Sequence, residues 1–303
     1  MTSITEHYNI TGTVPFADVQ IEFDNRLFLD PHAIRLQTTP APFAAQANRC
    51  TDTFFEEIAA CVVSPNAADH ERGLALLQRF SEPRETRLGM AAEGINGHGG
   101  AEDVGAWIWE ACTTDLRLFF HLGILREIEA IPLFVKGIDN DITSDLTTRI
   151  IFEPLAMFTR EMIRRYPQFT ANGHRTTTVI RQVWNPVDRK WEDKAIELPV
   201  ANSQPLVLVP HNWLRPRLLM NSRRFYEKTG LDFAQFEQAV RTETGKTLLT
   251  PKDLLKQQPG LGRGRRTNRE LTRRAIERDR DLIREFRAWV DSRWTPPAVD
   301  DAA

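Results

Sequence analysis

Three aspartates, Asp139, Asp141 and Asp145, fall within one short stretch of residues 131–151, IPLFVKGIDNDITSDLTTRII. Carboxylates this close are what a hard divalent cation such as Mg²⁺ or Mn²⁺ takes, with water and a phosphate oxygen filling its remaining positions. An ion held that way polarises a phosphate and activates water, which is the chemistry of phosphodiester hydrolysis. Arg149 and Arg215 are the matching cations, because a guanidinium grips a phosphate through two parallel hydrogen bonds. The same aspartates also suit ordinary duties: Asp139 and Asp141 as turn formers, Asp145 as an acid near the positive end of a helix. The metal reading therefore requires the three carboxylates to converge.

The elements that must position them follow from the pattern. Residues 131–135 are apolar, bounded by polar residues, and read as a buried strand. Gly137 breaks it, and Ser144 is placed to cap a helix that carries Leu146, Ile150, Leu155, Phe158 and Met162 inward. Pro154 should kink or restart that helix. If the segment before residue 131 is a strand, Glu127 and Glu129 share one of its faces. Asp30 is either a fourth acid of the site or the cap of a helix opening at Pro31. Residues 19–23 alternate and suit an edge strand. Residues 176–183 and 191–198, joined by the turn Asn185-Pro186-Val187-Asp188, read as a β-hairpin, and residues 206–209 as a strand ended by Pro210. Residues 51–63 and 66–80 form a helical hairpin, and residues 104–120 a further helix. These elements define a mixed α and β domain over residues 15–256. Its small central sheet would take in residues 132–135, 176–183, 194–198 and 206–209, covered by helices.

Other stretches carry rival chemistry. Residues 87–100, RLGMAAEGINGHGG, suit a loop that cradles phosphate on backbone N–H groups, with His98 as an acid, base or ligand; the protein would then be a nucleotide sensor using residues 94–100. The acids Glu102 and Asp103, at the start of the next helix, oppose a phosphate there, and a plain turn accounts for the glycines equally well. Glu192-Asp193-Lys194 has the form of half a restriction-nuclease site. His211-Asn212 hints at a metal-dependent nuclease, but suits a strand-to-helix connection better. Residues 257–264 form a Pro/Gly linker. Beyond it, residues 265–294 read as one long charged helix, an Arg-rich arm, and residues 295–303 as a disordered tail. Arg266, Arg269 and Arg273 share a face of the arm, flanked by Arg265 and Arg274, and would contact nucleic acid or a protein partner. The alternative is a solvated helix whose arginines pair with Glu270, Glu277, Asp279 and Asp281.

Composition narrows the classes. The chain has 303 residues, 41% hydrophobic and 26% charged, as in ordinary globular proteins. A net charge of −2 argues against a globally basic nucleic-acid binder while allowing a local basic face. Three widely spaced cysteines, Cys50, Cys61 and Cys112, form neither a disulfide framework nor a zinc pattern. The sequence carries no leader-like apolar run after a basic start and no segment of roughly 18 apolar residues, so a cytoplasmic location is expected and no membrane association.

Four stretches together, LFLDPHAI from Leu27, RLGMAAEGINGHGGAEDVGAWIWE from Arg87, PLFVKGIDNDITSDLTTRII from Pro132 and PLVLVPHNWLRPRLLM from Pro205, resemble a widespread bacterial family of uncharacterised proteins. The resemblance covers most of residues 15–240. It implies a role near phage-defence genes, acting on nucleic acid. The leading expectation is then a metal-dependent nuclease or related phosphodiesterase in anti-phage defence, acting on DNA or RNA, with Asp139, Asp141 and Asp145 on the metal. The runner-up is a non-catalytic subunit that docks on nucleic acid or on a defence partner through the Arg-rich arm.

Overall fold

Apolar residues at helical spacing between Phe43 and Val62 create the longest helix of the chain, and the other elements gather around its buried face. The computed structural model describes residues 1–79, 83–89 and 101–295. The glycine loop beyond Gly89, with His98, and the tail beyond residue 295 lie outside the described residues. The chain opens with α1 (Ile4–Tyr8), β1 (Phe28–Leu29), α2 (Pro31–Arg35), α3 (Phe43–Val63) and α4 (Ala67–Leu77). It continues through α5 (Ala101–Thr113), α6 (Arg117–His121), α7 (Asn140–Ile150), α8 (Phe152–Arg165), β2 (Thr176–Asn185), β3 (Lys190–Ala201), β4 (Gln204–Pro205) and β5 (Leu214–Arg215). It ends with α9 (Ser222–Phe225), α10 (Leu231–Glu237), β6 (Val240–Arg241), β7 (Thr247–Leu248), α11 (Lys252–Leu255), α12 (Arg265–Ile276) and α13 (Leu282–Asp291). The fold is mixed α and β, as the pattern predicts, with helix dominating.

The long hairpin β2–β3 pairs from Thr176 opposite Pro199 to Asn185 opposite Lys190, and β4 adds antiparallel to β3. Its turn is set by Asn185, whose side-chain oxygen accepts from the N–H groups of Val187 at 2.9 Å and Asp188 at 3.0 Å, the local bonding that suits Asn to turns. Two tryptophans fasten the hairpin to the helices. Trp184 lies edge-on to Phe54 with centroids 5.0 Å apart and donates to Thr53 Oγ1 at 3.0 Å. Trp191 donates to the Leu76 carbonyl at 3.2 Å. Trp184 is buried and Trp191 partly buried, and each keeps a partner for its one polar atom.

The rest of the expected central sheet is absent. Residues 128–133 form a 3₁₀ turn instead of a strand; Pro132 has no N–H to give a ladder, and the carbonyls of residues 132–134 are taken by side chains of α12. Residues 206–209 are buried yet join no strand. Their backbone groups are met singly: Leu206 N–H by Pro199 O at 2.9 Å, Val207 N–H by Glu85 O at 2.8 Å and Leu208 N–H by Thr159 Oγ1 at 2.9 Å. Buried backbone must be bonded, but not necessarily to a strand. Residues 19–23 likewise make only an isolated bridge, at Gln20.

Helix starts separate in the same way. Asp30 caps α2, accepting from His32 N–H at 2.9 Å and Ala33 N–H at 3.3 Å, while its other oxygen takes Leu219 N–H at 2.7 Å. It is a cap and not a site acid. Ser144 is no cap: α7 begins at Asn140, and Ser144 Oγ instead accepts from Leu29 N–H at 2.9 Å. The expected restart near Pro154 is found at Ile151, with Pro154 in the first turn of α8, where its missing N–H costs nothing. Gly137, at φ +86, is required twice over, since a Cβ there would stand 2.1 Å from the Trp107 ring.

The segment expected as one long free arm is two helices docked on the body. α12 buries Leu271 and Ala275, and α13 buries Leu282, Ile283, Phe286 and Val290. Between them Asp279 takes φ 56 and Asp281 caps α13, so four charged residues in a row, 278–281, serve as a turn. Carbonyls of the expected strand at 132–135 and of Ile138 beyond it are taken by α12: Pro132 O and Ile138 O by Arg265 at 3.1 and 3.0 Å, Leu133 O by Asn268 at 2.8 Å and Phe134 O by Arg269 at 2.7 Å. The linker is pinned as well, through Tyr226 Oη donating to Leu261 O at 2.6 Å. Among the described residues no helix is long and apolar enough to cross a membrane.

Candidate anion site

Four arginines far apart in sequence meet on one concavity. Arg84 opens a 3₁₀ turn, Arg84–Thr86, and Arg87 follows it; Arg149 comes from the last turn of α7 and Arg181 from β2. Together with Glu85, Ile180, Gln182, Gln204 and Pro205 they line a cavity of about 460 Å³. Glu85 is the only carboxylate among these lining residues, and Asp24 and Asp145 act electrostatically on Arg87 and Arg149 from outside the lining.

The 3₁₀ turn is braced from both sides. Glu85 O accepts from Val207 N–H at 2.8 Å. Arg87 O accepts from the backbone N–H and the side-chain amide of Asn25 at 2.8 and 2.9 Å, and Gly89 N–H returns to Asn25 O at 3.0 Å. Arg87 itself sits at φ +57, a left-handed conformation that costs a side-chain-bearing residue roughly 1–2 kcal/mol. Such a conformation persists only where its surroundings impose it, and such sites cluster where ligands bind.

The side chains are arranged as a polar wall. Glu85, 5% exposed, bonds Arg181 Nε through its carboxylate and fixes that fork in place. Arg87 is 9% exposed; its Nη1 donates to Arg84 O, while its Nη2 is buried with no hydrogen-bond partner among the described residues. Arg149 is equally buried and stacks over Phe152 at 5.4 Å. Burial pushes the Arg87 guanidinium below its ordinary range, with the charges of Asp24, Glu85 and Tyr8 pulling the other way. Burial does the same to Arg149, where Glu85 opposes it, Arg181 adds to it and Asp145 opposes it. A buried guanidinium with an unmet N–H, as at Arg87, suits an anion, which returns the charge and the hydrogen bond lost on burial.

The predicted residues fall in different places. Asp139 is exposed at the start of α7, makes no capping bond, and acts electrostatically on Arg265. Asp141 lies against the backbone at Gly89, where an added Cβ would stand 3.0 Å from its Oδ1. Asp145 acts on Arg149. Among the described residues no three His, Cys, Asp or Glu side chains are grouped to hold a metal ion, so Asp139, Asp141 and Asp145 do not form the expected Mg²⁺ or Mn²⁺ set. The helix that carries them explains this: Asp139 stands at its mouth while Asp141 and Asp145, four apart, share a side. Arg215 lies on β5 opposite Phe28, outside the cavity lining.

Arg266, Arg269 and Arg273 line a separate cavity of about 270 Å³ with Asp115, Phe119 and Glu270. Arg269 pairs with Asp115 at 3.0 Å, and Arg273 with Glu270 at 2.6 Å and Glu277 at 3.0 Å. Glu127 is paired with Arg287, and Glu129 with Arg35 at 2.7 Å and His32 at 3.5 Å. Lys194 is paired with Glu153 at 2.6 Å, and Glu192 accepts from Asn185 at 2.9 Å. His211 sits exposed beside Pro15 O. The residues that sequence reasoning missed are Arg84, Arg87 and Arg181. The signal for Arg84 and Arg87 is RETR at 84–87, which runs into the glycine-rich stretch; Arg181 has none.

The family described as Domain of unknown function (DUF8370) matches residues 8–221, which contain every residue of the arginine-lined cavity and exclude α12 and α13. No curated protein and no solved structure matches the chain.

Proposed function

We propose that this chain, which belongs to the DUF8370 family, is a binding protein for phosphate-bearing ligands of the nucleic-acid class, and that the cavity lined by Arg84, Arg87, Arg149 and Arg181 is where the phosphate sits. The observation that carries this reading is the meeting of four arginines in one concave site, one of them, Arg87, buried with a nitrogen that has no acceptor among the described residues. It is the runner-up of the sequence reading, moved from the C-terminal helices to the cavity. The anti-phage role implied by the resemblance belongs to the same proposal. Its test is binding of a labelled single-stranded oligonucleotide across a salt series. Affinity should fall as salt rises, since phosphate contacts release counterions. It should drop about tenfold or more in Arg84→Gln, while Arg273→Gln leaves it unchanged. Equal loss in both variants, or none in either, overturns the assignment.

Phosphodiester hydrolysis is the second reading, favoured by one observation: Asp145 stands one helical turn before Arg149 on α7 and acts on it electrostatically. Cleavage dependent on Mg²⁺ or Mn²⁺ and abolished in Asp141→Asn and Asp145→Asn would establish it. Absence of cleavage by the wild type with either metal leaves binding alone.

A further inference from the structure

We infer that the hairpin of β6 and β7, with Phe236 of α10 and Leu254 of α11 flanking it in sequence, is the surface through which two copies of this chain associate. The first argument is where the apolar surface lies. Among the described residues, much of the large hydrophobic surface left exposed falls in one segment, on Phe236, Val240, Leu248, Leu249 and Leu254. The segment is drawn together by its own side chains. Gln235 donates to Thr250 O at 2.8 Å, and Gln238 and Gln258 exchange amide hydrogen bonds at 2.6 and 3.2 Å. Exposed apolar side chains gathered in this way mark a surface that another protein covers.

The second argument is the hairpin itself. β6 and β7 pair Val240 with Leu248 and Arg241 with Thr247, and no third strand joins them. All four residues are exposed, so the body of the chain buries neither face. Residues directly opposite each other in an antiparallel pair share a face, which puts Val240, 61% exposed, beside Leu248, 49% exposed. A two-stranded hairpin is at best marginally stable in water until something packs against it. The same face of a second copy supplies that packing.

The third argument is charge, and it selects the occupant. The neighbouring charges are spent within the chain: Asp232 on Lys252, Glu237 on Arg274 and Asp253 on Lys256. The side chains of Arg241, Glu243 and Lys246, in the hairpin, have no ion pair or hydrogen bond among the described residues. A partner of one sign, such as a nucleic-acid strand, would meet either the acid or the bases with repulsion. A second copy brings both signs. In a two-fold contact, what residue i meets on the partner, residue j meets in return, so Glu243 of each copy faces the bases of the other.

The experiment is sedimentation velocity of the full chain over a wide concentration series. Melting curves, taken at a dilution where the wild type is monomeric, control for folding. The wild type should pass from monomer to dimer as its concentration rises. Leu248→Glu and Val240→Glu change positions that are already exposed, so they should melt as the wild type does while weakening association about tenfold or more. Glu243→Lys should weaken it too. Reversing all three signs, with Arg241→Glu, Glu243→Lys and Lys246→Glu in one chain, should restore it, and that restoration supports a second copy as the occupant. A chain that stays monomeric at every concentration overturns the inference and leaves the surface to a different partner. A dimer weakened by neither Leu248→Glu nor Val240→Glu overturns the hairpin as the contact. A triple variant no better than Glu243→Lys overturns the two-fold meeting of the charges.

Discussion

Two arginine-rich regions of this protein look alike in composition and differ in what their charges meet. On α12, Arg265 and Arg269 spend their donors on the carbonyls of residues 132–138, and Arg273 and Arg274 pair with Glu270, Glu277 and Glu237. At the cavity, four arginines share a lining with Glu85, and the buried Nη2 of Arg87 has no acceptor among the described residues, as is also true of Nε of Arg274 on α12. A run of arginines in sequence therefore says little about binding. What matters is whether the fold has already supplied the acceptors. Exposed pairs such as Arg273–Glu270 contribute little to stability, whereas a buried donor left unmet is costly until a ligand arrives.

The largest effect should come from deleting the chain after Gln258. α12 and α13 bury Leu271, Leu282, Ile283, Phe286 and Val290, and Phe286 packs on Phe225 with centroids 5.4 Å apart. At about 1.5–3 kcal/mol for each large side chain, the loss matches the roughly 5–15 kcal/mol that holds a domain folded. The truncated protein should be insoluble or melt without a cooperative transition. A stable, cooperative melt would restore the free arm and break the comparison.

Next comes Arg181→Met. It leaves Glu85 buried without the cation that bonds it, which should cost roughly 1.5–3 kcal/mol and weaken oligonucleotide binding as well. Adding Glu85→Gln should recover much of the stability, since removing both charges avoids a stranded buried acid, but none of the binding. Denaturant unfolding and anisotropy on the same samples separate the two effects.

A smaller effect belongs to pH, and it should touch the C-terminal docking and not the cavity. His32 is buried between Glu129 at 3.5 Å and Asp291 of α13 at 2.8 Å. Burial alone would lower its pKa, but the hydrogen bond and charge of Glu129, then Asp291 and Asp30, raise it. A raised His contributes stability below its ordinary value of 6.5 and loses it as the pH climbs through the folded value. Glu129 resists burial through His32 and Arg35 and is held down to about 2. Its contribution is present above its ordinary 4.5 and is lost as the pH falls toward 2. Melting temperature should therefore decline on both sides of a plateau between about pH 4.5 and 6.5, and Asp291→Asn should flatten the alkaline side. A profile unchanged in that variant would remove His32 from the docking of α13.

The smallest effect sharpens the contrast most. Arg273→Ala removes two exposed ion pairs and should leave both the melting temperature and oligonucleotide affinity within error of wild type. A clear loss of binding would return the nucleic-acid surface to α12.

Local patterns in the sequence determined a good deal. Asp30-Pro31 specifies a helix start because an Asp cap and a Pro at the first position satisfy it locally, and the structure has it there. Asn185 sets the hairpin turn and Pro154 the break between α7 and α8 for the same reason: each acts on backbone within a few residues. The apolar face of α3 was readable from its period. What only the tertiary structure decided are the matters that depend on distant acceptors. Whether residues 132–135 and 206–209 become strands depends on who takes their backbone groups, and side chains of α12 and α8 and the carbonyl of Glu85 take them. Whether an arginine is spent or available depends likewise on groups remote in the chain. Arg84, Arg87, Arg149 and Arg181 meet because a 3₁₀ turn, a helix end and a strand are packed together, and no spacing along the sequence encodes that meeting.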